Sequence, residues 1–173
     1  LPVASIIPSS AALAQLMASH IVRGADDYVV DLVAGTGAIT RGLLAAGLPR
    51  DRLVLVELDP KMSAALAEWF PGVHIITGDA AKLSDILPEH VRGRITTVIS
   101  GLPMLGRPLD FQQAVVNAAF AVLNPGCSML QYTYGPVSPL PRRKLGLTGK
   151  LLGWAANLPP AAVWRFTRAE AGI

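Results

Sequence analysis

Cysteine is almost absent: Cys127 stands alone in a chain of 173 residues. One thiol excludes an internal disulfide and a cysteine-built zinc site. Histidine is nearly as scarce. His20, His74 and His90 are isolated from one another along the sequence, so each reads as a surface or structural residue and no metal centre is expected. Charged residues make up only 16% of the chain. Even so, no run of about 18 apolar residues occurs, so no segment reads as spanning a bilayer. No secretory signal pattern is visible. The chain begins at Leu1 rather than methionine, which fits a trimmed N-terminus.

What is present is apolar. Hydrophobic residues account for 51% of the chain, and the mean hydropathy is +0.44. Such a chain is not disordered, and its length suits one domain, spanning 1–173, with a sizeable core. Two sources explain the high hydropathy. One is a parallel sheet buried on both faces, whose strands are apolar throughout; the other is work at a lipid surface. The buried sheet accounts for most of it. The net charge of +3 suits anionic lipid or nucleic acid and selects neither.

Short apolar runs alternate with helical patterns. Strands are expected at 28–32, 53–58, 73–77, 95–100 and 128–134, with two more near 151–155 and 162–167. Helices are expected at 11–20, 39–46, 61–70 and 109–123, with a short helix or turn at 80–87. Pro71-Gly72 and Asn124-Pro125-Gly126 read as stops. Strand, helix, strand at this spacing means βαβ units, a parallel sheet and right-handed crossovers. In such sheets ligands bind outside the carboxyl ends of the strands. Those ends carry Gly35 to Gly37, Glu57, Asp79, Ser100-Gly101, and Tyr132 with Tyr134. A loop rich in proline and basic residues, 135–144, follows and reads as an active-site loop.

The first strand runs into Asp31-Leu32-Val33-Ala34-Gly35-Thr36-Gly37. Glycines between a strand and a helix let backbone approach a ligand closely, and the helix behind them offers free N–H groups. Glu57 ends the next strand, where a carboxylate can accept bonds from both ribose hydroxyls of an adenosine. Asp79 ends the third, placed to face an adenine amine. A dinucleotide fingerprint would want a third glycine at Thr40, which is absent. The stretch 31–37 instead resembles motif I of the class I S-adenosylmethionine (SAM)-dependent methyltransferases, with Val33 standing where the first glycine is usual. Val54 to Pro60 resembles the acidic motif that follows it. The resemblance implies a Rossmann-like α/β fold with a seven-stranded, mostly parallel sheet and helices on both faces. It also implies SAM as cofactor, held by Asp31, Ala34, Gly35, Thr36, Gly37, Glu57, Leu58, Asp79, Ala80, Ser100 and Gly101.

The methyl acceptor is read at the fourth strand end. Adenine-N6 methyltransferases carry Asn or Asp there, followed by a proline and an aromatic residue that stacks on the flipped base. This sequence has Gly101-Leu102-Pro103-Met104, which lacks both the polar side chain and the aromatic platform. The closer resemblance is to the bacterial phospholipid N-methyltransferases, which convert phosphatidylethanolamine toward phosphatidylcholine. It rests on Pro8-Ser9-Ser10, Ser100 to Pro103, Gln131 to Pro136, Ser138-Pro139 and Asn157 to Ala161. Members of that family begin with an amphipathic membrane helix. This sequence starts near the point where that helix would end, which implies weakened membrane affinity.

The resemblance implies a phospholipid substrate, an anionic membrane surface as partner on the inner face of the bacterial cytoplasmic membrane, no nucleic acid, and a monomer. Tyr132 and Tyr134, two apart on one strand end, share a face. They are the catalytic candidates, surrounding the head group, with one of them or the lipid phosphate relaying a proton. Ser9 and Ser10 are expected over the methionine end. Leu102, Pro103 and Met104 are expected against substrate, and Arg142, Arg143 and Lys144 on the phosphate or the membrane. Two other readings stand beside this one: nucleic-acid amine methylation, and a non-catalytic SAM-binding or membrane-interaction module.

Overall fold

A computed structural model describes residues 8–32, 35–156 and 160–170, with side chains from residue 11 onward. Its elements are α1 (Pro8–Ala18), β1 (Tyr28–Leu32), α2 (Ala38–Ala45), β2 (Leu53–Glu57), α3 (Pro60–Trp69), β3 (His74–Thr77), α4 (Leu83–Ile86), β4 (Ile95–Ser100), α5 (Leu109–Val122), β5 (Leu123–Tyr134), β6 (Leu147–Ala155) and β7 (Ala161–Arg168).

The seven strands form one sheet in the order β3-β2-β1-β4-β5-β7-β6. Strands β1 to β5 pair in parallel. β7 enters antiparallel between β5 and β6. Every residue of β1 and β2 is buried, which explains the high hydropathy without appeal to lipid. One face carries Val30, Val56, Val98, Met129 and Phe166 against α4 and α5. The other carries Val29, Leu55, Ile99, Leu130 and Val163 against α1, α2 and α3.

Local chemistry sets the helix starts. Asp59 caps α3, its carboxylate accepting from the Lys61 N–H at 2.9 Å, and Pro60 fills the first turn.

The structure corrects several boundaries. β5 begins at Leu123, not Ser128, and runs through the triplet read as a stop. Ile95 pairs with Leu123 but Thr97 pairs with Ser128, so the triplet is a bulge, with Gly126 at φ 79°. Helix α1 ends at Ala18, short of His20. The segment 80–87 is a 3₁₀ turn followed by one turn of α-helix. The histidines are not all isolated in space: the rings of His74 and His90 are 5.4 Å apart, both against Tyr28. Among the described residues, no three His, Cys, Asp or Glu side chains are placed to hold a metal.

Candidate active site at the strand ends

The parallel strands β1, β2, β4 and β5 end on one side of the molecule, and the turn from β1 to α2 lies there. Gly35 and Gly37 both adopt left-handed backbone, φ 53° and 78°. At Gly37, the residue before α2, a Cβ would also meet the Phe70 ring at 2.6 Å, so conformation and space both demand glycine. Thr36 holds the turn through its carbonyl, which accepts from Arg41 at 3.2 Å. Val33 and Ala34 lie outside the described residues.

Two buried carboxylates flank this turn. Glu57 Oε1 accepts from the Asp59 N–H at 3.2 Å, while Oε2 is buried with no partner. Asp31 is 3% exposed, and its Oδ2 also lacks a partner. Burial, and then the charge of Glu57, push the Asp31 carboxyl up to about 7. Acceptors left bare in a low-dielectric site cost free energy until a donor arrives. Two such oxygens beside a glycine turn suit a ligand rich in hydroxyl and ammonium donors. Beyond Glu57, the Leu58 side chain is 65% exposed, an apolar surface suited to a flat ring. Ala80 is buried. Asp79 caps the turn that follows β3, its Oδ1 accepting from the Ala81 N–H at 2.9 Å.

The acceptor side is built by β4 and β5. Ser100 is fully buried, and its hydroxyl accepts from the Leu102 N–H at 3.2 Å. Gln131, opposite Ser100 in the register, donates through Nε2 to the Leu102 carbonyl at 2.8 Å. This amide fixes the loop after β4. Its own Oε1 is buried and unpartnered. Sequence reasoning did not name Gln131 as a site residue, although a fully polar side chain inside an apolar strand was the available signal.

One position further along, Gly101 lies beside Tyr132. The Tyr132 ring and hydroxyl fill the space that a Cβ on Gly101 would take. The backbone of Gly101 lies outside the left-handed region, so glycine is needed there for room alone. Through that gap the phenol leans from β5 across β4 toward β1. Burial, then the negative charge of Asp31, then Tyr134 push the Tyr132 hydroxyl well above the ordinary tyrosine range. Tyr132 is therefore held as a neutral phenol and is a poor proton acceptor. Tyr134 stands at the rim, 54% exposed.

Solved structures share this architecture. The glycopeptide N-methyltransferase MtfA, complexed with SAM, superposes with a TM-score of 0.69 at 12% identity, covering 92% of this chain and 94% of its own. The DhpI–SAH complex gives 0.67 at 19% identity, over 97% and 90%. No protein-family model matches the chain. Among curated proteins, the ornithine lipid N-methyltransferase of Singulisphaera acidiphila is 31% identical over 137 residues, 78% of this chain and 71% of that protein. The chain belongs to the class I SAM-dependent methyltransferases. Ribosomal RNA small subunit methyltransferase A from Kineococcus radiotolerans is 30% identical over 174 residues, and that from Myxococcus xanthus 31% over 153. The methyltransferase spans about half the length of these RNA-modifying relatives, 55% and 50%. SAM is its cofactor, and the bare oxygens of Asp31 and Glu57, the two left-handed glycines and exposed Leu58 fit that molecule.

Not every residue expected at the methyltransferase site is there. Met104 is 1% exposed and sits in the core under α5, its carbonyl accepting from Gln112 at 2.8 Å. It therefore offers its side chain to Val115 and its neighbours, not to a substrate. Pro103 is exposed, Leu102 half-buried and Leu105 56% exposed. The basic triplet lies elsewhere. Arg142, Arg143 and Lys144 immediately precede β6, whose first residue Leu147 pairs with Arg168 at the amino-terminal end of the sheet. Arg142 donates to the Gly149 carbonyl at 3.1 Å and lies over the Trp164 ring. The triplet is thus brought to the far edge, away from Glu57 and Gly101. Ser9 and Ser10 lie in the first turn of α1, and their side chains fall outside the described residues.

Proposed function

We propose that this methyltransferase methylates the head-group amine of phosphatidylethanolamine, toward phosphatidylcholine, at the inner surface of the bacterial cytoplasmic membrane. The observation that carries the reading is the Gly101–Tyr132 pair. A flipped base needs a polar group and a flat platform at the end of the fourth strand. Here that place holds a glycine, and a phenol from the next strand fills the space. What remains suits a slender aliphatic amine. The similarity to an ornithine lipid N-methyltransferase supports an amine-bearing lipid as the acceptor class.

Bound SAM supplies an electrophilic methyl on a sulfonium sulfur. The residues of the chain do the rest by binding, orientation and exclusion of water. Glu57 Oε2 would accept from the ribose hydroxyls of bound SAM, and Asp31 Oδ2 from its ammonium group. Gly35 and Gly37 would let backbone N–H groups approach the cofactor closely, and Leu58, Asp79 and Ala80 would hold its adenine. Ser100 and Gln131 keep the loop after β4 in place. An ethanolamine ammonium entering this site is desolvated, which favours its neutral form. Its proton leaves to water or to the lipid phosphate. Tyr132 Oη, itself protonated, would accept one N–H of the amine and so hold the nitrogen in a fixed orientation for transfer. The Tyr134 ring at the rim attracts the methylated cation.

The rim itself supports a lipid partner. Among the described residues, six of the nine exposed large apolar side chains lie at this end of the sheet: Leu58, Leu105, Leu109, Tyr134, Val137 and Trp154. Clustered exposed apolar and aromatic groups suit a bilayer interface. No helix of the described residues is long and apolar enough to cross a membrane.

The second reading is methylation of ribosomal RNA, favoured by the two RNA-modifying relatives. Transfer of radiolabelled methyl from SAM separates the two. The acceptors are vesicles of phosphatidylethanolamine with an anionic lipid, vesicles carrying ornithine lipid, and unmodified bacterial ribosomal RNA. Label in the phosphatidylethanolamine extract alone is expected. Label in ornithine lipid alone would keep the lipid class and change the substrate; label in RNA alone would overturn the reading.

A further inference from the structure

Beside a cavity lined by the segment that links α1 to β1 and by the amino-terminal halves of β4 and β5, basic groups face one another. Lys150 and Arg165 are directly paired across β6 and β7. Like charges placed opposite each other on one sheet face repel. His20 closes on them from the end of α1, its Nδ1 3.4 Å from the Arg165 guanidinium. Burial, then Arg165, then Lys150 hold the His20 imidazolium below its ordinary range. All twelve carboxylate side chains of the sequence lie among the described residues. The ion pair they form is Arg52–Asp26, on another part of the surface.

The cavity has a volume of about 330 Å³. His20, Arg23, Arg165, Thr97 and Ser128 line it, under the segment that links α1 to β1. The lining holds one carboxylate, Asp27, which accepts from the Gly24 N–H at 2.6 Å and is outnumbered by the two arginines. Arg165 is half-buried, so its charge is less screened than that of a surface arginine. A guanidinium fork with hydroxyl groups around it matches the oxygens of a phosphate group.

We infer that the cavity between the segment linking α1 to β1 and strands β4, β5 and β7, lined by His20, Arg23 and Arg165 and flanked by Lys150, binds a phosphate-bearing anion. The site is separate from the cofactor site and does not rest on the proposed substrate. Binding removes the repulsion between Lys150 and Arg165 and ties the end of α1 to the sheet. A phospholipid head group and free phosphate share this chemistry.

The test measures thermal unfolding and binding by calorimetry with inorganic phosphate, on the intact chain and on Arg165→Gln, with Arg143→Gln as a control outside the cavity. Phosphate is expected to raise the unfolding temperature of the unmodified chain and of the control. Arg165→Gln should weaken phosphate binding at least about tenfold, the worth of one charge-assisted contact, while SAM affinity stays unchanged. Because it relieves a like-charge pair, the variant should be no less stable than the parent without phosphate. Vesicles of phosphatidylglycerol and phosphatidylcholine, against phosphatidylcholine alone, identify the source. Arg165-dependent retention on the anionic vesicles means a lipid head group, and a phosphate response without it means a soluble anion. No response to either probe, or equal responses in parent and Arg165→Gln, would overturn the inference.

Discussion

The two ends of the sheet are built on the same apolar strands and carry opposite unpaired charge. At the carboxyl end, Asp31 and Glu57 are buried with one oxygen each unpartnered. Toward the amino end, a cavity is lined by His20, Arg23 and Arg165, and Arg165 is set against Lys150 in the ladder. Neither arrangement is a stable use of charge in an isolated chain, since bare acceptors and like-charge pairs both cost free energy. Each end is incomplete in its own way. One end awaits donors, the other awaits an acceptor, and the apolar strands between them are complete without either.

Substitutions at one end should leave the other untouched. The largest effect is expected from Gly101→Ala. Its methyl group enters the space of the Tyr132 ring, and a displaced acceptor site costs about 100-fold in turnover. Cofactor affinity, measured by calorimetry, should fall far less than turnover, because the glycine turn at 35–37 is untouched. Next, Glu57→Ala should weaken SAM binding at least about tenfold, the loss of charged hydrogen bonds. Undiminished affinity would mean that the cofactor lies elsewhere.

A smaller and pH-dependent effect belongs to Asp31. Its carboxyl titrates at about 7 in the fold against 3.8 as a free side chain. The folded state therefore holds the proton more tightly than the unfolded one, and stability falls as pH rises from about 4 to 7. Asp31→Asn should flatten that decline in unfolding temperature; an unchanged slope would mean that Asp31 is not the group responsible. The smallest effect is expected at the rim: Tyr134→Phe keeps the ring and should lower turnover by less than about twofold. A larger loss than that of Tyr132→Phe would exchange the roles assigned to the two tyrosines.

Much of the carboxyl end was legible in the sequence because strands, turns and their acidic ends follow one another locally. Glu57, Asp79 and Gly101 could be placed at strand ends from apolar runs alone. What fills the gap at Gly101 could not, because it depends on the register between β4 and β5. The start of β5 was hidden for a different reason. Asn124-Pro125-Gly126 has the composition of a stop but serves as a bulge inside a strand. Arg142 to Lys144 follow Tyr134 closely in sequence, which suggested the active site. The chain instead crosses to the amino end to begin β6 in parallel, and the triplet travels with it. Met104 shows the limit of residue type alone, since an apolar side chain after a strand end suits a core as well as a lipid.

The placement of β7 carries a consequence for how the chain reaches this state. β6 pairs in the sheet only with β7, and β7 joins β5 on its other side. Until the last strand has been made, β5 presents an open edge and β6 has no neighbour in the sheet. Assembly of this part of the sheet therefore waits on β7 and on contacts between distant segments, a slow step by topology. During that interval the exposed strand edges are the part of the nascent chain most prone to pair with another copy.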